Sequence, residues 1–228
     1  MRNPSQRSSP DTRSVEMNIA IFGASGRTGN LLTERALAAG HRVTALVRSP
    51  ERFPYRDRVR VVAGNAFDPA AIAQTLEGAD VVLSALGARS LGREEVLERS
   101  VPLIVKAMQQ HGPRRLITLG SAGALDNSLD QQSPFRRWFV QKVVYNTLLK
   151  WPVAAQRAQW AALSASRLDW TMVMPPMLTN STAKGRYRID GNALPRNGSS
   201  IARADVADFM MQQINSSEWL GRGVYITD

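Results

Sequence analysis

The chain has no cysteine. Disulfides, thiol nucleophiles and cysteine-ligated metal centres are therefore excluded. It has only two histidines, His41 and His111. The first precedes a strand-like run at the amino end of a sheet, and the second closes a helical run where a cation suits the dipole, so neither is placed for catalysis. No grouping of His, Asp and Glu has metal-ligand spacing and no Gly-x-Ser-x-Gly occurs, which removes metallohydrolase and serine-hydrolase chemistry. No apolar run reaches the ~18 residues of a membrane-spanning helix, and the first residues lack an apolar signal segment. A cytoplasmic protein with no membrane partner is the expectation. Lysine is scarce too: Lys106, Lys142, Lys150 and Lys184 are the only four, so the net charge of +10 is carried by arginine. The arginines are scattered, aromatic residues do not interleave with them, and no zinc-finger, RNA-recognition or basic-helix pattern occurs, so no nucleic acid is expected. Arg56-Asp57-Arg58-Val59-Arg60, Arg114-Arg115 and Arg136-Arg137 read as solvated strand and helix edges.

What is present is enough for one full core: 228 residues with 43% hydrophobic content. Residues 1–16, with Arg2, Arg7 and Arg13 among Ser, Pro, Asn and Gln, bury almost nothing and are expected to be a disordered tail. Met17 is a second candidate start. From residue 17 to 228 short apolar runs alternate with helical patterns. Strands are expected over Asn18 to Phe22, Gly40 to Val47, Val59 to Ala63, Asp80 to Gly87, Arg115 to Ser121 and Trp170 to Met174, with a last short one over Val224 to Ile226. Helices are expected over Asn30 to Ala39, after Pro69, over Glu94 to His111, over Phe135 to Ser166 with Pro152 interrupting, and over Asp205 to Asn215. Near-continuous apolar strands alternating with helices imply a parallel sheet covered on both faces. The fold expected is a Rossmann-type doubly wound parallel sheet in a single α/β domain. Its ligand crevice lies beyond the carboxyl ends of the strands, which groups Gly23 to Gly29, Arg48, Asn65, Leu86-Gly87, Ser121 and Pro175-Pro176-Met177 around one cleft.

The strongest local pattern is Ile19-Ala20-Ile21-Phe22-Gly23-Ala24-Ser25-Gly26-Arg27-Thr28-Gly29, a strand that runs into three glycines spaced three apart and opens a helix. Such a turn brings backbone amides and a helix N-terminus against a pyrophosphate. Gly23 permits the tight turn, Gly26 leaves out a Cβ that would block the phosphate, and Gly29 lets the helix lie close to the strand. An NAD-preferring site has Asp or Glu at the end of the second strand. Here the sequence is Val47-Arg48-Ser49-Pro50-Glu51-Arg52. A guanidinium at Arg48 suits a 2′-phosphate bidentately, and Arg52 one turn later adds charge, which favours NADP(H). Glu51 is the carboxylate that would mislead if it turned toward a ribose. Arg27 is either a phosphate contact or a solvent-facing first-turn residue.

Taken together these residues resemble the atypical short-chain dehydrogenases of the NAD(P)H-binding, NmrA-like group, and within it the flavin-reductase (biliverdin-IXβ reductase) branch. The likeness runs from Met17 to the C-terminus. It rests on the glycine turn, on Val43-Thr44-Ala45-Leu46-Val47-Arg48, on Leu86-Gly87-Ala88-Arg89, on Met174-Pro175-Pro176, and on Ile201-Ala202-Arg203-Ala204-Asp205-Val206-Ala207-Asp208-Phe209-Met210. It implies that Arg48 and Arg52 hold the 2′-phosphate, that Gly87, Ala88 and Arg89 border the cofactor, and that Ser121 lies near the nicotinamide. It further implies a monomer or weak homo-oligomer passing hydride from NADPH to a small conjugated acceptor, a flavin, quinone or tetrapyrrole-like molecule. The chain also departs from the group. Met177 stands where the flavin reductase has a histidine after Pro-Pro, Ala155, Gln156 and Trp160 stand where related proteins have an Asp-His pair and a Glu, and Gly64-Asn65 replaces Gly-Asp.

Tyr145 and Lys150 are five apart, not the four that sets an ammonium beside a phenol on an α-helix, so a tyrosine-based carbonyl reductase is not expected. Ser121 at a strand's carboxyl end is the remaining catalytic candidate, either orienting the nicotinamide and donating to the acceptor, or satisfying loop backbone. Met177 is the substrate-side candidate, and with Leu178, Trp138, Phe139 and Trp160 it can form an apolar wall. Two functions fit: an NADPH-dependent oxidoreductase on a flat acceptor, or an NADP(H)-binding sensor that has lost turnover. A tailoring enzyme on the same fold is a third, and nothing in the sequence singles it out.

Overall fold

The structure, a computed structural model, describes residues 15–88 and 90–228. The expected tail, for residues 1–14, and the candidate Arg89 lie outside the described residues. Ahead of the first strand, Glu16 pairs with Arg42 at 2.7 Å.

The elements follow the chain as β1 (Asn18–Phe22), α1 (Arg27–Ala38), β2 (Arg42–Val47), β3 (Arg60–Ala63), α2 (Pro69–Leu76), β4 (Val81–Ser84), α3 (Val96–His111) and β5 (Arg115–Leu119). Then come α4 (Pro134–Phe139), a π-helical segment (Val140–Leu148), α5 (Lys150–Ser164), β6 (Asp169–Met174), β7 (Met177–Thr179), β8 (Arg188–Asp190), β9 (Ser200–Ala202), α6 (Arg203–Gln212) and β10 (Arg222–Thr227). Eight strands form one sheet in the order β3-β2-β1-β4-β5-β6-β10-β8, and β7 and β9 form a small parallel pair of their own. All neighbours in the large sheet are parallel except β8 against β10. Strand order reverses between β1 and β4, the point at which a doubly wound sheet opens its ligand crevice.

Both faces of the sheet are covered, and the side chains of each central strand divide between them. Ile19 and Ile21 join the cluster under α1 and α6, while Ala20 and Phe22 join the one under α2, α3 and α5. β4 and β5 divide in the same way, with Val82 and Leu116 on one face and Leu83 and Ile117 on the other. This two-residue alternation with both faces apolar is why these runs look continuous in sequence. α2 starts where Asp68 accepts the Ala70 N–H at 2.9 Å and Pro69 occupies the first helical position, where no N–H is needed.

Two expectations are corrected, on Pro152 and Arg115, and three strands are added. Pro152 does not interrupt a helix: it lies in the first turn of α5, where its missing N–H costs nothing, and the break falls at Leu149, outside helical dihedrals. The strands β7, β8 and β9 have only three residues each, too short for periodicity to reveal. Arg115 is not a solvated edge. Its half-buried guanidinium donates to Asp169 O and Thr171 Oγ1, both at 2.9 Å, and to Gln213 O at 2.7 Å, fastening the end of α6 to the base of β5 and β6.

Candidate functional site

Each glycine of the first turn answers a different constraint. Gly23 has φ +76°, and a Cβ there would stand 2.8 Å from the Ala85 carbonyl. Gly29 is stricter, because its Cβ would fall 2.0 Å from Gly23 O, inside the turn itself. Gly26 is different: a Cβ would meet only Gly23 O, at 3.2 Å, and otherwise open space. Protein packing thus demands Gly23 and Gly29, whereas bareness at exposed Gly26 keeps the front of α1 clear. Gly26 is the N-cap of α1, gives no side-chain cap, and no acid occupies the first turn. The leading N–H groups of α1 therefore keep their positive end uncompensated, as an anion site requires. Ser25 and Arg27 are exposed beside it, and Thr28 is buried at the helix start.

Strand register brings the second-strand end to the same place. Phe22 pairs with Leu46 on one side and Ser84 on the other, so Val47-Arg48 and Ala85-Leu86 both run alongside Gly23. Arg48 is exposed and holds no ion pair among the described residues. Glu51 and Arg52 lie on a single 3-10 turn, Pro50–Arg52, both largely exposed and 4.0 Å apart. Each therefore offsets the other, and Arg48 is left as the uncompensated cation of this edge. Asn65 Oδ1 accepts the Phe67 N–H at 2.8 Å, so the loop uses its carbonyl oxygen and its amide NH2 is what remains to offer. Leu86 is half-buried and Gly87 and Ala88 are exposed on the loop beyond β4.

On the other side of the crevice, Gly120 donates to Val173 O at 2.7 Å and Ala122 to Pro175 O at 2.8 Å, which ties the exits of β5 and β6 together. Ser121 therefore sits beside Pro175-Pro176, with Met177 exposed next in chain. Ser121 Oγ accepts the Gly123 N–H at 3.4 Å and caps a 3-10 turn, leaving its O–H to donate. Tyr145 packs on Gly123, where an added Cβ would come within 3.3 Å of its ring. Burial raises the Tyr145 phenol above its ordinary value, outweighing the hydrogen bond to Ser128, so it is neutral at physiological pH. The spacing argument against a Tyr145–Lys150 pair does not apply, because Tyr145 lies on a π segment bonded i to i+5. The pair is absent for another reason: Lys150 begins α5 beyond the Leu149 break, with its ammonium 5.1 Å from the Trp151 ring centre. The expected apolar wall is also revised. Trp160 packs edge-on against Trp170 at 5.2 Å as part of the core, whereas Trp138 and Phe139 on α4 are exposed.

A family model described as NAD(P)H-binding matches residues 23–217. The chain belongs to this NAD(P)H-binding family. The match begins on Gly23 and ends beyond α6. Reductase pytE of Aspergillus terreus is 23% identical over 260 residues, covering 94% of this chain and 99% of that protein. A short-chain dehydrogenase/reductase of Veillonella parvula in complex with NADP superposes with a TM-score of 0.77 at 21% identity, over 93% of this chain and 94% of that one. ChuY, an anaerobilin reductase of Escherichia coli O157:H7, does so with a TM-score of 0.73 at 22% identity, over 92% and 96%. At these identities the structural likeness establishes a shared fold. No helix among the described residues is long and apolar enough to cross a membrane.

Within this NAD(P)H-binding chain, three side chains near the crevice were not singled out by sequence. Arg203 opens α6, donates to Asn180 Oδ1 at 2.5 Å, and has its guanidinium lowered by burial and then by the charge of Arg27. Those two arginines from two helix starts therefore share one positive region. Gln159 is buried on α5, and its amide nitrogen reaches Thr118 Oγ1 at 2.9 Å and Leu119 O at 3.1 Å at the end of β5. Tyr225 is fully buried with its hydroxyl unpartnered, and burial raises its phenol strongly. The motif containing Arg203 is visible in sequence, but only the packing of α6 on α1 brings it to Arg27.

Proposed function

We propose that this member of the NAD(P)H-binding family is an NADPH-dependent reductase of a flat conjugated acceptor, of flavin, quinone or tetrapyrrole-like chemistry. The carrying observation is the uncapped, acid-free start of α1 behind bare Gly26, with Arg48 alongside it in the place where an NAD-preferring site has a carboxylate. These residues fit a phosphorylated dinucleotide. The α1 amides from Arg27 to Gly29, the Gly26 N–H being spent on Gly23 O, face its pyrophosphate with Ser25 and Thr28 flanking, and Arg27 supplies charge there. Arg48 takes the 2′-phosphate, Arg52 adds a weaker charge, and the Asn65 amide, Leu86, Gly87 and Ala88 border the adenosine and ribose side. Arg89 completes that border in the family resemblance.

The bound cofactor supplies hydride to the acceptor. What this chain adds is orientation. Pro175 and Pro176 wall the nicotinamide end, Ser121 donates its O–H there, and Met177 offers a polarisable surface to a conjugated ring. Burial keeps the Tyr145 phenol neutral, and among the described residues no carboxylate or imidazole is tied into the β5–β6 exit. Proton delivery from solvent suits acceptors whose reduced forms protonate freely, which is why flavins and quinones are favoured over simple carbonyls.

The same lack of an acid–base group supports a second reading, an NADP(H)-binding sensor without turnover. Steady-state NADPH oxidation with FMN or a small soluble quinone separates the two. Turnover that collapses in Arg48→Ala is expected of the reductase; tight NADPH binding with no turnover across an acceptor panel rejects it in favour of the sensor.

A further inference from the structure

Between Gln131 and Leu168 the chain contains no aspartate or glutamate, yet it carries Arg136, Arg137, Lys142, Lys150, Arg157 and Arg167. In the middle of this stretch, α4 and the π segment after it have no buried residue. Four of their large apolar side chains are turned outward: Phe135 is 75% exposed, Trp138 58%, Phe139 44% and Leu148 60%. Phe135, Trp138, Phe139 and Lys142 fall at helical spacings of three and four, on one face. The three rings form a patch, with Phe135 6.4 Å from Trp138 and 6.5 Å from Phe139. The opposite side is the anchored one, where Arg136 donates to Gly198 O at 2.7 Å and Arg137 pairs with Asp130 at 3.1 Å. A core helix faces its apolar stripe inward; this one presents it to the outside, with exposed Lys142 on the same face and Asp130 engaged by Arg137 on the other.

We propose that this face, from Phe135 to Trp151, is a docking surface for an anionic lipid bilayer, lying on the membrane and not crossing it. Aromatic rings at headgroup level together with ammonium groups over lipid phosphates are the two signals an interfacial helix combines. Trp151, 40% exposed with Lys150 against its ring, extends the same pairing beyond the Leu149 break. Charge argues against a second copy as the occupant, because a self-complementary contact would set Lys142 and Lys150 against their own kind with no carboxylate in the segment to offset them. The expectation of no membrane partner rested on the lack of a spanning run, which a surface-lying helix does not need. The proposal is independent of the cofactor reading.

The test is co-sedimentation of the full chain with vesicles of phosphatidylcholine alone and of phosphatidylcholine mixed with phosphatidylglycerol. Binding to the anionic vesicles is expected, falling at least about tenfold in Phe135→Ser/Trp138→Ser and in Lys142→Glu/Lys150→Glu. Circular dichroism and the thermal midpoint report whether each variant is folded, and the charge-reversal pair alters only exposed groups. Absence of binding, equal binding to neutral vesicles, or folded variants that bind as the parent does would overturn the proposal. So would a dimer in sedimentation velocity that Phe135→Ser/Trp138→Ser dissolves, since that assigns the face to a second copy.

Discussion

The glycine turn between β1 and α1 and the segment between β5 and α5 both leave the carboxyl edge of one sheet, but they are held by opposite means. The turn is fixed by backbone sterics: Gly29 has no room for even one carbon, and Gly23 needs both a positive φ and closeness to Ala85. The segment after β5 begins anchored by buried Ala122, Ala124 and Leu129 and by Gln132, whose amide donates to Leu194 O, but α4 and the π segment that follow bury no residue and are tied down by contacts such as Arg136 to Gly198 O. A site built from backbone has few alternatives and accepts one shape of ligand. Exposed side chains on an element with no buried residue can be exchanged without loss of fold, whereas the backbone-built turn cannot change its glycines.

The sharpest way to break this comparison is Gly29→Ala. It should cost about 2–3 kcal/mol or more, because the obstructing atom is a backbone carbonyl that cannot move aside, and thermal or urea unfolding will read it. Gly26→Ala should stay within about 1 kcal/mol of the parent in the same experiment while weakening NADPH binding; equal destabilisation of the two would end the distinction drawn between them.

Next in size is Arg48→Ala. Loss of a charge-assisted contact should weaken NADPH binding by roughly 10- to 100-fold and leave NADH binding within about twofold, measured by calorimetry. A parallel loss for both dinucleotides would move the discrimination elsewhere, with Arg203 beside Arg27 the first position to examine.

Smaller effects belong to the far side of the crevice. Tyr225→Phe removes a buried hydroxyl that has no partner, so stability should rise by up to about 1 kcal/mol in place of the usual loss. The same phenol sets an alkaline limit. Burial raises it in the folded state above the ordinary 10.0, so the unfolded chain loses its proton first and binds fewer protons. Stability from this group is complete below pH 10 and falls above it, by up to about 1.4 kcal/mol per pH unit. Denaturation followed from pH 9 to 11 should show a shallower decline in Tyr225→Phe than in the parent. Last, Tyr145→Phe should change NADPH-dependent turnover by less than about threefold, since its ring packs on Gly123 and its buried phenol stays neutral; a larger fall in kcat would restore the tyrosine to the chemistry.

Strand positions were readable because a strand buried on both faces is an uninterrupted apolar run, and Asn18–Phe22 is the clearest case, the same in sequence and structure. The glycine spacing likewise announced the tight turn from β1 into α1. Pro152 misled because proline in a first turn and proline at a break have the same letter, and only the Leu149 dihedrals tell them apart. Trp160 misled because aromatic residues at helical spacing do not say which side of the helix meets the sheet.

The sequence by itself determined the layer order, the turn chemistry and the charge at the end of β2, since these depend on neighbours a few residues away and on backbone rules every chain obeys. Tertiary structure alone decided that Arg203 stands by Arg27, that Tyr145 rests on Gly123, and that Phe135 and Trp138 face outward. Those facts arise from contacts between residues far apart in the chain, where burial is settled by how whole elements pack and not by the pattern within any one of them.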